Sequence, residues 1–209
     1  MWIFSQHSRF SKRRPALGGF TIIELLVASS IIIIITTVLL FRQGRFNSST
    51  LLRSLAYSVA LSVRQAQTYG TSVRETAPGG IFAPSYGVYF KSGDTTHYFL
   101  AADLNSNGSI ATDGSEDVSP SPYTIRGDYQ IKDFCAYVQG SGALHCKSNG
   151  IITVLAIRFV RPNPDAIFVT DQAGYQYSSA YIQLESPGED TRSITITTTG
   201  QISVGTSGT

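Results

Sequence analysis

A chain of 209 residues has room for one compact domain and an appendage, and none for two sizeable catalytic domains. Charged residues make up only 14% of it, against 11 Tyr, 19 Gly and many Ser and Thr, a balance typical of exported β-rich chains. The formal net charge of +2 conceals a segregation: residues 1–19 hold four basic residues and no acid, whereas from Glu75 onward seven basic residues face 13 acidic ones, a net of −6 that repels phosphate backbones and makes nucleic acid a poor partner.

The first element is an apolar run from Phe20 to Phe41, 22 residues with the single charge Glu24. At about 1.5 Å per residue it is long enough to cross a hydrocarbon core of about 30 Å. Arg9, Lys12, Arg13 and Arg14 precede it and only Arg42 and Arg45 follow closely. The positive-inside bias therefore puts residues 1–19 in the cytoplasm and the remainder outside. A cleavable secretory signal has an apolar stretch of about 7–15 residues followed by a small-residue cleavage site. Here the run is longer, and Val27-Ala28-Ser29 lies inside it.

An acid inside a spanning helix needs a partner or a purpose. A cut between Gly19 and Phe20 would create an α-amino group at the start of the run and so supply Glu24 with a counter-ion. The alternative is that Glu24, about 6 Å along the helix from its start, snorkels to the headgroups.

Lys12-Arg13-Arg14 followed by Gly19, Phe20, Thr21, Glu24 and the apolar run resembles the class III signal of type IV prepilins and type II secretion pseudopilins. The resemblance implies a membrane-bound prepilin peptidase that cuts after Gly19 and methylates the Phe20 amine. It also implies that Glu24 pairs with the Phe20 amine of a neighbouring subunit during filament assembly.

Beyond the run, Leu52, Leu55, Ala56, Val59, Val63 and Ala66 recur at spacings of three and four, one apolar stripe on a helix ending near Tyr69-Gly70, with Arg53, Arg64 and Gln67 off the stripe. Helix from Phe20 to Tyr69 would be a rod of roughly 75 Å, loosened at "RQGRFNSST" by Gly44 and the Asn/Ser run. Division into a leader (1–19), a membrane and filament-core helix (20–41), its amphipathic continuation (42–74) and a β-rich head (75–209) follows.

After Pro78-Gly79-Gly80 the pattern turns to β. Nine strands are expected, at 86–90, 96–103, 129–138, 142–148, 152–161, 166–170, 179–186, 192–198 and 200–204. Leu155, Ile157 and Phe159 alternate with Ala156 and Arg158, as in a strand with one face on a core. The expected fold is therefore α+β, a long N-terminal helix packed on an antiparallel, sandwich-like head. "YGVYF", "YFLAADLNSNG" and the closing "ITITTTGQISV" resemble the heads of H-type minor pseudopilins and T-type minor pilins. DNA-binding T-type pilins use basic residues near the carboxyl end, whereas here only Arg192 lies after Arg161.

"DLNSNGSIATDGSED" (103–117) is similar to a calcium loop, with Asp103, Asn105 and Asn107 at positions one, three and five and Gly108 at six. Position twelve, which needs a bidentate acid, is Gly114, and Asp113 and Glu116 miss the register. The competing reading is an Asx-rich turn bonding its own backbone, which would leave the protein without any cofactor. Cys135 and Cys146 lie on the oxidising side with Gly140-Ser141 midway between them, which places them opposite each other across a hairpin as a disulfide rather than as two buried thiols. His7, His97 and His145 have no metal or catalytic spacing and read as solvated. No G-x-S-x-G, P-loop or dinucleotide fingerprint occurs, and no enzyme is expected.

The sequence therefore reads as a structural minor pilin or pseudopilin. Its partners would be a prepilin peptidase, other pilin subunits along the N-terminal helix, and the inner membrane, which holds it before it enters a surface or periplasmic filament. The rivals are a DNA-uptake pilin of the same architecture and a membrane-anchored adhesin that never polymerises.

Overall fold

Among the described residues, ten strands pair into two sheets around one face of a helix. The computed structural model describes residues 19–76, 80, 82–118 and 121–206, without the side chains of 41–47. The leader residues 1–18 lie outside the described residues. The chain divides into two units, 1–43 and 44–209. Helix α1 has the bounds Ile22–Thr71, and the helical assignment continues through 42–50, where loosening was expected.

In the first unit, Ile22–Leu40 is 19 residues of helix with none of its side chains buried, long and apolar enough to cross a membrane as an anchor or a signal sequence.

In the second unit the strands are β1 (Ser85–Lys91), β2 (Asp94–Ala102), β3 (Tyr123–Thr124), β4 (Gln130–Val138), β5 (Leu144–Cys146), β6 (Val154–Val160), β7 (Ala166–Thr170), β8 (Tyr177–Glu185), β9 (Thr191–Thr197) and β10 (Ile202–Thr206). One sheet has the order β3-β2-β1-β6-β7 and the other β10-β9-β8-β4-β5, and every pairing is antiparallel. Nine strands fall where the alternation places them. The tenth, β3, has two residues, too short for any periodicity to register.

The core forms because three apolar faces converge. Leu52, Ala56, Val59, Val63 and Ala66 on α1 are fully buried, and Leu55 packs at their edge. They share one cluster with Val88, Phe90, Leu155, Ile157 and Phe159 of the first sheet and Phe134, Ala136, Ile182, Ile194 and Ile196 of the second. The other face of the first sheet is covered as well: Tyr89, Ala101 and Ala156 pack under Ile110 from the loop after β2. β6 thus has its core face at Leu155, Ile157 and Phe159, as expected, and on its other face Ala156 is buried too while Val154, Arg158 and Val160 are half-buried.

Gln67, expected off the buried stripe, is 5% exposed. Its Nε2 donates to Pro164 O at 2.8 Å and Gly200 O at 3.1 Å, which ties the last turns of α1 to two loops of the head. A long polar side chain is tolerated in a core when its amide is bonded in this way. Two glycines allow the close approach. A Cβ at Gly70 would lie 2.5 Å from Phe159 O, and one at Gly200, whose φ is +76°, would lie 2.2 Å from Pro164 O and 2.4 Å from Gln67 Nε2. Gly200→Ala is therefore expected to lower stability by roughly 2–4 kcal/mol through combined clash and left-handed backbone strain. Thermal unfolding of the full chain in detergent checks this, with Gly93→Ala, which meets nothing within 4 Å, as the control.

Candidate functional site

The candidate site is the start of the apolar helix. Thr21 is its N-cap: Leu25 N donates to Thr21 O at 3.1 Å, and Glu24 N donates to Thr21 Oγ1 at 3.3 Å. Thr21-Ile22-Ile23-Glu24 thus carries the T-x-x-E spacing of a capping box, and a carboxylate in the first turn faces the positive end of the helix dipole. The cap itself is made by the Thr21 hydroxyl, and the T-x-x-E signal for it stands in the sequence.

Gly19 precedes the cap, and a Cβ there would meet nothing within 4 Å. The folded chain makes no steric demand for glycine at this position. Phe20 beside it is 81% exposed, as are the apolar side chains from Ile22 to Leu40 at between half and four-fifths of their surface.

The serine and threonine hydroxyls of this apolar stretch are satisfied within the helix. Ser29 Oγ donates to Leu26 O at 3.0 Å and Ser30 Oγ to Val27 O at 2.8 Å. Thr36 Oγ1 and Thr37 Oγ1 each donate at 2.7 Å to the carbonyls of Ile32 and Ile33. Such back-bonding hides hydroxyls from hydrocarbon.

The 103–118 loop is organised from two buried carboxylates. Asp103 is fully buried, and its Oδ1 and Oδ2 accept from Asn107 N at 3.1 Å and Gly108 N at 3.0 Å. Glu116, 3% exposed, accepts from Leu104 N and Asn105 N on one oxygen and from Ala111 N at 2.7 Å on the other. Asn105 Oδ1 accepts from Asn107 N, and Asn107 Oδ1 from Ser109 N, both Asx turns. Asp113 accepts from the Ser115 hydroxyl and amide, and the hydroxyl above all holds its carboxyl below the usual range. The proposed calcium ligands Asp103, Asn105, Asn107 and Asp113 thus all bond local N–H or O–H groups of the loop. Glu116, which misses the calcium register, is instead a loop anchor. Arg158 NH1 donates to Gly108 O and fastens the loop to β6.

Cys135 and Cys146 are directly opposed in the β4–β5 ladder and joined by a disulfide, as the hairpin spacing predicts. Among the described residues the one group of three acid, thiol or imidazole ligand atoms within 4.8 Å of one another is Asp133 with these two cysteines. With both sulfurs in the disulfide, no thiolate is left to bind a metal. Asp133 Oδ1 accepts from Phe134 N and Ser148 N. His97 is partly exposed and bonds Asp94 at 3.0 Å. His145 corrects the expectation of a solvated side chain: it is 8% exposed, with Nδ1 at 3.0 Å from Tyr177 Oη, because its strand position turns it into an aromatic pocket with Tyr175 and Tyr177. His7 lies outside the described residues.

Glu116→Ala is expected to cost roughly 2–4 kcal/mol, since three inward N–H groups lose their acceptor, while Asn105→Ala costs under about 1 kcal/mol. Thermal midpoints of the two variants, each with and without millimolar calcium, check the order and show whether the loop responds to the ion. Comparison of the chain with protein-family models, curated proteins and solved structures finds no match.

Proposed function

We propose that the chain is a minor pilin or pseudopilin subunit, made as a membrane-anchored precursor, cut after Gly19 and assembled through its N-terminal helix into a type IV pilus or type II secretion pseudopilus. The observation that carries the reading is the conjunction at the start of α1 of a basic leader, a glycine that the fold does not require, an acid in the first turn and a long exposed apolar surface. A plain anchor has use for the basic leader, which orients it, and for the apolar surface, but for neither the glycine nor the acid. A glycine free of local constraint fits a recognition demand made by another protein, here a peptidase.

In this reading residues 20–40 serve twice, first in the bilayer and then against the helices of neighbouring subunits. Leu51, Tyr57 and Leu61 are exposed apolar side chains on the head's part of α1, outside the buried stripe. The function is mechanical, with no catalytic step. Glu24 sets register by pairing with the Phe20 ammonium of the adjoining subunit, and its first-turn position keeps it near the helix end where that amine would lie. The DNA-uptake alternative is disfavoured by the net −6 of residues 75–209.

Two substitutions test the proposal. Replacing Gly19 by Val should leave the full-length precursor in the membrane, and the absence of steric contact at this position means that misfolding does not explain the result. A mature mass identical to that from the wild-type chain would show that the cut does not depend on Gly19 and would overturn the prepilin reading. Glu24→Gln should be inserted and cut normally yet fall out of sheared filaments, because a buried ammonium without its counter-ion costs about 3–5 kcal/mol. Filaments containing the Gln variant at the normal level would leave Glu24 a snorkelling end residue with no part in setting register.

A further inference from the structure

The outer face of the second sheet carries a trough of about 610 Å³, within the size range of binding clefts. It is lined from Tyr137 and Leu144 at the β4–β5 end to residues 203–206 of β10 at the other, so it runs across all five strands. Four inter-strand steps of about 4.8 Å make its length about 19 Å.

Two cross-strand rows form its floor. Tyr181, Thr195 and Ser203 stand opposite one another in register, as do Gln183, Ser193 and Gly205. These rows alternate with Ile182 and Ile194, which point into the core. Among the described residues no Asp, Glu, Lys, Arg or His lines the trough, although residues 75–209 carry a net of −6. The Tyr137 and Tyr181 rings lie 6.1 Å apart at 49°, and the Tyr181 hydroxyl is held 3.0 Å from Cys135 Sγ of the disulfide. Burial, and after it the carboxylate of Asp133 behind the ring, push the Tyr181 phenol above its ordinary range, so this ring stays a neutral hydrogen-bonding group.

The geometry points to a binding site for a neutral linear oligosaccharide on this face. A pyranose presents an apolar C–H face edged by hydroxyls, which matches fixed aromatic rings flanked by Ser, Thr and Gln side chains. The lining side chains are uncharged, so an ionic ligand would be desolvated here without a counter-charge in contact, and the Asp133 carboxylate behind Tyr181 further disfavours an anion. A trough of this length suits several sugar units rather than one. The inference concerns the head alone and does not depend on how the apolar helix is used.

The test is calorimetric titration of the full chain, held in a sugar-free zwitterionic detergent, with hexasaccharides of β-1,4-linked glucose and of β-1,4-linked N-acetylglucosamine, and with a hexamer of galacturonic acid as the charged counterpart. At least one neutral hexasaccharide should bind, with affinity changing less than about twofold between low and high salt. The acidic hexamer should bind at least about tenfold more weakly. Tyr181→Ala should lower the neutral affinity by about tenfold or more through loss of the ring. Gly205→Phe should abolish binding by filling the trough; a Cβ there meets only Ser193 Oγ, at 3.9 Å, so the fold has room for it, and an unchanged thermal midpoint verifies that. Binding of neither neutral sugar, preference for the acidic one, affinity that survives both substitutions, or a trough occupied by a second copy of the chain would each overturn the assignment.

Discussion

Burial of one stripe of α1 is the contact on which the head depends. Leu52, Ala56, Val59, Val63 and Ala66 are small or medium side chains, fully enclosed, and they meet inner faces of both sheets in a single cluster. Each sheet has an inward row of Val, Leu, Ile and Phe that must leave water, and area removed from water contributes roughly 25 cal/mol per Å². The prevalence of Ala and Val on the helix lets its backbone approach closely, and Gly70 extends that closeness to the last turn. The tether between Gln67 and the two carbonyls at Pro164 and Gly200 then fixes the rotation of the helix in place.

Polar interactions in the head mostly serve loops rather than surfaces. Asp103 and Glu116 gather five N–H groups of one segment, and Asp171 gathers the amide and hydroxyl of Thr153. Arg161 reaches the carbonyls of Ser72, Phe82 and Ala83, closing the linker between helix and sheet. The acids that give the head its negative sign are thus partly structural. In a chain with so few charges, long turns are kept in shape by carboxylates that stand in for missing backbone partners.

The sequence disclosed what periodicity governs. Alternating Val, Ile, Tyr and Phe between Gly/Asn/Asp turns marked nine strands, and three-and-four spacing marked the buried stripe of α1. Opposed cysteines about a Gly-Ser turn gave the disulfide. Long-range contacts were not legible: Gln67 and His145 are polar residues whose burial is set by loops and rings far away in sequence, and β3 exists only because β2 offers it an edge. The cap at Thr21 is written in the sequence as T-x-x-E, where the same Glu24 also carries the one charge of the apolar run.

The short strand β5 has a consequence for solubility. An open sheet edge displays free amides and carbonyls that can capture a strand from another molecule. The second sheet ends on three residues, Leu144–Cys146, too few to template much pairing, and the bond from Cys146 to Cys135 keeps that stub attached to its neighbour. Reduction would free the stub to peel back and uncover β4, a nine-residue strand rich in apolar side chains. The covalent link thereby acts as a guard against aggregation, and it operates only in an oxidising compartment.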